Sequence, residues 1–183
     1  MKSNDHDIIA RILAGDVYYF RELMERYSSR VFSLVVRIVD NGCDAEEIVQ
    51  DVFVKAYRNL SGFDSRSSFS TWLYRIACNE AVSHARRSKH RDMVVDTDRL
   101  AVLCDSDVDV FFNSDDERLA ALPDAIDRLT PDERALITLF YYDGLPIGEA
   151  ADILGISVSN AKVRLMRTRR KLYVMITEIS RVI

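Results

Sequence analysis

Residues 145–172 read LPIGEAADILGISVSNAKVRLMRTRRKL. Two short apolar-periodic segments are broken at Gly155. The second ends in a run of positive charge, with Lys162, Arg164, Arg167, Arg169, Arg170 and Lys171 inside ten residues. The pattern predicts a short helix from about Ile147 to Leu154, a glycine turn, and a final helix capped by Ser157, which is the helix-turn-helix arrangement. At about 100° per residue, Val158, Ala161, Leu165 and Leu172 share one face of the final helix. That face is expected to pack on Ile147, Ala151 and Leu154. The opposite face carries Ser159, Val163, Met166, Arg167 and Arg170, with Lys162 and Arg169 on one flank and Arg164 and Lys171 on the other. A packed back and a cationic front suit the DNA major groove, where Arg and Lys reach phosphates and guanine edges and Val or Met touches a thymine methyl. A solvated helix end is the plain alternative, because cations also favour a helix C-terminus. The complete helix and turn ahead of the charge run favour DNA.

Upstream, LTPDERALITL places Thr130 as cap, Pro131 at the first helical position and Glu133 at the third, a strong helix start. Asp143-Gly144 ends that helix. Nearer the N-terminus, VYYFRELMERYSSRVFSLVVRIV puts Phe20, Leu23, Met24, Tyr27, Val31, Leu34, Val35 and Ile38 at steps of three and four. Asn41-Gly42 breaks the chain, and Asp44 with Glu47 three residues on reads as a capping box. The helix that follows is expected to bury Ile48, Val52, Phe53 and Ala56 and to show Glu46, Gln50, Asp51 and Lys55. A polar loop, SGFDSRSSFS, leads to a helix capped by Ser68 or Ser70 that ends basic at Arg86, Arg87 and Lys89.

Composition agrees with an all-α fold: of 183 residues 48% are apolar, with only six Gly and three Pro. No run of about 18 apolar residues predicts a membrane span, and the N-terminus MKSNDHDIIARI does not read as a secretory signal. Cys43, Cys78 and Cys104 are odd in number and far apart, which predicts reduced thiols, no zinc site and a cytoplasmic protein. Charge divides the chain. Residues 1–90 hold 13 Lys/Arg and 12 Asp/Glu, residues 91–117 hold 2 and 9, and residues 118–183 hold 10 and 8. The middle block, at 2 − 9 = −7, is more acidic than the whole molecule at −4 and reads as a linker between two small helical domains. Within it DSDVDV begins like a calcium loop, but Val110 stands where glycine is required and Asp116 replaces the final Glu. His6, His84 and His90 have no evident nucleophile partner, and no phosphate-binding glycine loop is present. No enzyme activity, metal or cofactor is expected.

The two ends together carry a resemblance. NGCDAEEIVQDVFVKAYRNLSGFD followed by SSFSTWLYRIACNEAVSHARR resembles region 2 of the extracytoplasmic-function (ECF) sigma factors, group 4 of the sigma-70 family. LTPDERALITLFYYDGLPIGEAADILGISVSNAKVRLMRTRRKL resembles their region 4. The resemblance covers about residues 7–90 and 118–175. It implies region 2 over 1–90, the acidic linker over 91–117 and region 4 over 118–183.

The resemblance implies a transcription initiation factor that binds core RNA polymerase and directs it to promoter DNA. Region 2 would dock on the clamp helices of the largest polymerase subunit through Glu47, Gln50, Asp51 and Lys55. The loop from Ser61 to Thr71 and the next helix would read and melt the minus-ten element. Ser67, Ser68, Phe69 and Asn79 would line a pocket for a flipped base, and Arg75, Arg86 and Arg87 would hold the backbone. Trp72, Leu73 and Ile76 read as core, and Phe63 and Phe69 read either as core plugs or as base stackers. Region 4 would set Ser159, Asn160, Lys162, Val163, Arg164, Met166, Arg167 and Arg170 at the minus-thirty-five element. Asn160 and Ala161 replace the Thr-Val often found in the family, and Val163 stands where Ser is frequent. The linker would thread through polymerase, its charge imitating nucleic acid, or serve as a solvated spacer. An anti-sigma factor clamped between the domains is the expected regulator. Free in solution, the domains are expected to close on each other, with the linker screening the recognition helix. A DNA-binding regulator that never engages core polymerase is the alternative, and it leaves the region 2 resemblance unexplained.

Overall fold

A computed structural model describes residues 4–39, 41–89 and 121–180, and the linker reading for 91–117 falls outside them. Among the described residues there are helices and no strands. The first unit holds α1 (Asp5–Leu13), a 3-10 turn (Val17–Tyr19), α2 (Phe20–Val39), α3 (Gly42–Arg58), a second 3-10 turn (Leu60–Gly62) and α4 (Phe69–Lys89). The second holds α5 (Leu122–Asp127), α6 (Pro131–Ile137) running on through a π-turn (Thr138–Tyr142), α7 (Ile147–Leu154) and α8 (Val158–Ser180).

Helices α2, α3 and α4 pack on one another. The α2 stripe of Leu23, Val31, Leu34, Val35 and Ile38 meets Ile48, Val52, Phe53 and Ala56 of α3. Met24, placed on that stripe by periodicity, is 41% exposed instead. Ile8, Ile9 and Ile12 give α1 a buried face that the sequence reading left unassigned. Asp5 takes both the guanidinium of Arg26 and the hydroxyl of Tyr27, tying α1 to α2. The cap of α3 is also corrected. Asn41 Oδ1 accepts from the Cys43 amide at 3.0 Å, so Asp44 falls inside the first turn, where its charge suits the helix dipole.

The second unit follows its punctuation. Thr130 Oγ1 accepts from Glu133 N, and Glu133 Oε2 accepts from Thr130 N at 2.8 Å, a complete capping box behind Pro131. Gly144 and Gly155 take φ of +64° and +65°, which a side chain disfavours, and each turns the chain into the next helix. Helix α8 packs on α5, α6 and α7. Ala161, Leu165 and Leu172 form its buried back, but Val158, expected there, is 43% exposed. The two units are not separate: α4 packs on α6 and α7, α2 packs on α6, and buried apolar residues from Ile8 to Ile176 form one cluster.

The caps generate a test. Asn41→Ala removes the side-chain acceptor that caps α3 and should cost about 1 kcal/mol. Asp44→Ala should cost only a few tenths of a kcal/mol, about what a first-turn charge contributes. Urea unfolding of both variants measures the difference.

Candidate nucleic-acid and partner interfaces

Helix α8 enters after the left-handed Gly155, and Ser157 Oγ accepts from the Asn160 amide at 3.2 Å. Ser159, Asn160, Lys162, Val163, Arg164 and Arg167 are exposed, and Met166 and Arg170 are half-buried. Asn160 Oδ1 accepts from Arg164 Nε at 2.9 Å and so orients that guanidinium. The charge run is not all surface. Lys171 is 8% exposed, and its Nζ donates to Glu133 Oε2 at 2.9 Å. It is therefore a strut that ties α8 to the capping box of α6, and it leaves the flank where periodicity put it.

The loop after α3 carries Ser65 at φ 59°, the only non-glycine positive φ among the described residues. Asp64 Oδ1 accepts from the Arg66 amide at 3.2 Å. Ser68 Oγ accepts from Thr71 N at 3.1 Å and thereby caps α4. Phe69 corrects the sequence reading. At 3% exposure it is packed among Tyr27, Phe63 and Trp72, with ring centroids 5.5, 5.8 and 5.7 Å away. Stacking on a base would vacate that core, so Phe69 is a structural plug. Ser67, Ser68, Arg75, Asn79, Arg86 and Arg87 are at least partly exposed along α4 and the loop before it.

On α3, Glu46, Gln50, Asp51 and Lys55 are exposed, as periodicity predicts, and so is Glu47. Lys55 Nζ pairs with Glu80 of α4. Val54 at 46% and Tyr57 at 40% exposure stand on the same open helix, an apolar part of the surface that the search for polar residues missed.

Several of these groups meet across the junction of the two units. Arg86 donates from Nε and Nη2 to the two carboxylate oxygens of Asp132, at 3.2 and 2.6 Å. Arg75 Nη2 donates to Asp152 Oδ1 at 2.8 Å and to its carbonyl at 2.9 Å. Thr71 Oγ1 donates to Glu149 Oε1 at 2.9 Å, and the Arg37 guanidinium lies 4.5 Å above the Tyr142 ring. A cleft of about 190 Å³ remains between them, lined by Asn79, Ser83 and Arg86 on one side and Asp132, Leu154 and Arg164 on the other. Burial pushes the Asp143 carboxyl above its ordinary range, and Arg37 and Arg30 pull it back only in part. Burial raises the Tyr74 hydroxyl, Asp143 adding to the effect, and raises the Cys78 thiol likewise, which keeps it protonated. No helix of the described residues is long and apolar enough to cross a membrane.

The fold is thus a helical unit with an open polar helix, joined in one chain to a helix-turn-helix unit. The family pattern Sigma-70 region 2 matches residues 23–91, and Sigma-70, region 4 matches residues 119–172. The chain is 35% identical over 174 residues to the ECF RNA polymerase sigma-E factor of Escherichia coli K12, covering 90% of each protein. It is 33% identical over 172 residues to the ECF RNA polymerase sigma factor SigW of Bacillus subtilis, covering 90% of this chain and 92% of that one. The solved structure of CnrH in complex with the cytosolic domain of CnrY matches with a TM-score of 0.66 at 25% identity, over 95% of this chain and 97% of that one. The chain belongs to the extracytoplasmic-function sigma factors and is an alternative sigma factor.

Asp143 yields a pH prediction. Its carboxyl is raised in the folded state, so the folded state holds the proton more tightly than the unfolded chain does. The group therefore subtracts stability as pH rises from the ordinary Asp value through its raised one, and the deficit persists at neutral pH. Asp143→Asn should raise stability at pH 7.5 and flatten this part of the profile. Urea unfolding between pH 4.5 and 7.5 is the check, and a variant less stable than wild type at pH 7.5 would mean that the attraction of Arg37 and Arg30 outweighs the burial cost.

Proposed function

We propose that the exposed face of α3 docks on the clamp helices of the largest subunit of core RNA polymerase, with Glu47, Gln50 and Asp51 as contacts and Lys55 at its edge. The observation that carries this reading is an α3 face left open in a chain whose other end is a helix-turn-helix with a cationic front. Val54 and Tyr57 add apolar area to the docking face. The loop before α4 and the exposed groups Ser67, Ser68 and Asn79 then take the minus-ten element, with Arg75, Arg86 and Arg87 on phosphates. Phe69 keeps only its packing role. Ser159, Asn160, Lys162, Val163, Arg164, Met166, Arg167 and Arg170 meet the minus-thirty-five element in the major groove. The reaction belongs to the polymerase, and this chain supplies address and strand capture, working in the cytoplasm. A protein partner in the manner of an anti-sigma factor is supported by the likeness to CnrH, which was solved with the cytosolic domain of CnrY. A regulator that ignores core polymerase is disfavoured by the region 2 match across residues 23–91.

In-vitro transcription with core polymerase on genomic fragments tests the reading. Wild-type protein should produce discrete new starts. Arg167→Ala should weaken promoter selection by roughly 5- to 150-fold, the effect of one base-edge contact worth about 1–3 kcal/mol. Lys162→Ala should weaken all DNA evenly and reduce the salt slope by about 1. Asp51→Ala should spare DNA binding and lower affinity for core. No new starts with DNA binding intact would favour the regulator.

A further inference from the structure

We propose that Arg66 is a base-reading residue of the loop before α4, set by Asp64 to grip the edge of a guanine. The inference rests on the reading of that loop as the minus-ten surface, and it adds a residue and the class of base that residue takes.

The loop is fixed at both ends. Phe63 lies against Phe69 and Trp72, with ring centroids 5.8 and 5.4 Å away. Ser68 Oγ caps α4 through the Thr71 amide at 3.1 Å. Between these anchors the chain makes one tight turn. Asp64 Oδ1 accepts from the Arg66 amide at 3.2 Å, and Asp64 Oδ2 pairs with Arg66 Nε at 2.7 Å. A single carboxylate thus holds the backbone and the side chain of the same arginine. Ser65, between the two, takes φ 59°, a conformation that side chains other than Asn, Asp and His seldom adopt. Such residues persist where the surrounding structure enforces them, and they gather at functional sites.

Stability does not account for the arrangement. The side chains of Arg66 and Asp64 are 88% and 56% exposed, and an ion pair in that setting adds little to folding. What it fixes is direction. With Nε engaged, the guanidinium faces solvent, and among the described residues no protein group holds its two terminal nitrogens. Two coplanar donors match the O6 and N7 acceptors on the edge of guanine. A loose arginine would serve a phosphate as well, whereas a bidentate base contact gains from a side chain already held in place. Asp64 is therefore the positioning residue and Arg66 the reader.

The test uses holoenzyme assembled from core polymerase and the full chain. Fragments of a promoter mapped with the wild-type protein are randomised across the minus-ten element, and the bound fragments are sequenced. Wild type should enrich guanine at one position of one strand. Arg66→Ala should lose that preference by roughly 5- to 150-fold, the range of one bidentate base contact, and keep the others. Arg66→Lys should lose it too, because an ammonium lacks the fork. Asp64→Ala should weaken the same preference several-fold. Asp64→Asn, whose side-chain oxygen can still accept from the Arg66 amide, should weaken it less. Ser65→Gly, which favours the left-handed turn, should leave it unchanged. Replacing the enriched base by 7-deazaguanine removes the N7 acceptor. That change should weaken wild type several-fold and Arg66→Ala not at all. An Arg66→Ala profile identical to wild type overturns the proposal. So does an even loss across all sequences with a salt slope smaller by about 1, the mark of a phosphate contact. A 7-deazaguanine penalty of equal size in both proteins overturns it as well. If wild type enriches no sequence, the minus-ten reading fails and takes this proposal with it, whereas an enriched sequence indifferent to Arg66 sinks the proposal alone.

Discussion

The molecule depends on how closely other helices approach α4. Ala77, Cys78, Ala81 and Ala85 are all buried along it, and small side chains there let neighbouring backbones come near. Helices α2 and α3 close on one part of α4, and α6 and α7 close on another. A larger residue in that stripe would overpack the crossing, at a cost of about 1–3 kcal/mol. The same stripe fixes where the polar edge points. With Ala77 and Ala81 turned inward, Arg75, Asn79 and Arg86 are left partly or wholly exposed on the remaining surface. Core packing and the placing of a charged reading edge are therefore one decision, made by the sequence of α4.

Local chemistry wrote most of the helix boundaries legibly. Thr130, Pro131 and Glu133 start α6 where their order says they should, and Gly155 turns α7 into α8 in the only conformation that excuses a glycine. Misreadings arose where two local solutions competed. Asn41 and Asp44 are both good caps, and the chain uses the earlier one because Asn41 is already extended, at φ −127° and ψ 121°, with its oxygen facing the Cys43 amide. Met24 and Val158 satisfy the helical period but lie where no neighbour covers them. Phe69 was undecidable from its own loop, because its burial is made by Tyr27 on another helix together with Phe63 and Trp72. Lys171 looked like part of a cationic front because its partner, Glu133, is 38 residues away. The union of the two units was the least legible feature. Its polar contacts join residues 46, 77 and 78 positions apart, and no periodicity reports on such pairs.

The ion pairs at the junction of the two units are partly exposed. The Arg75–Asp152 side chains are 43% and 52% exposed, and those of Arg86–Asp132 are 61% and 38% exposed. Ion pairs in that setting contribute about 0–1 kcal/mol each and weaken with salt. They choose the register of closure more than they supply its strength. The strength comes from apolar continuity between the units, helped by Arg37 on Tyr142 and diminished by the buried Asp143 carboxylate.

The acidic total charge and the cationic recognition helix are then no longer at odds. A net charge of −4 describes the sum, but six of the cations lie together on α8, between Lys162 and Lys171. Arg75 and Arg86 of α4 are neutralised internally by the carboxylates of Asp152 and Asp132. Long-range attraction to DNA is reduced accordingly, because a steering field needs uncompensated charge.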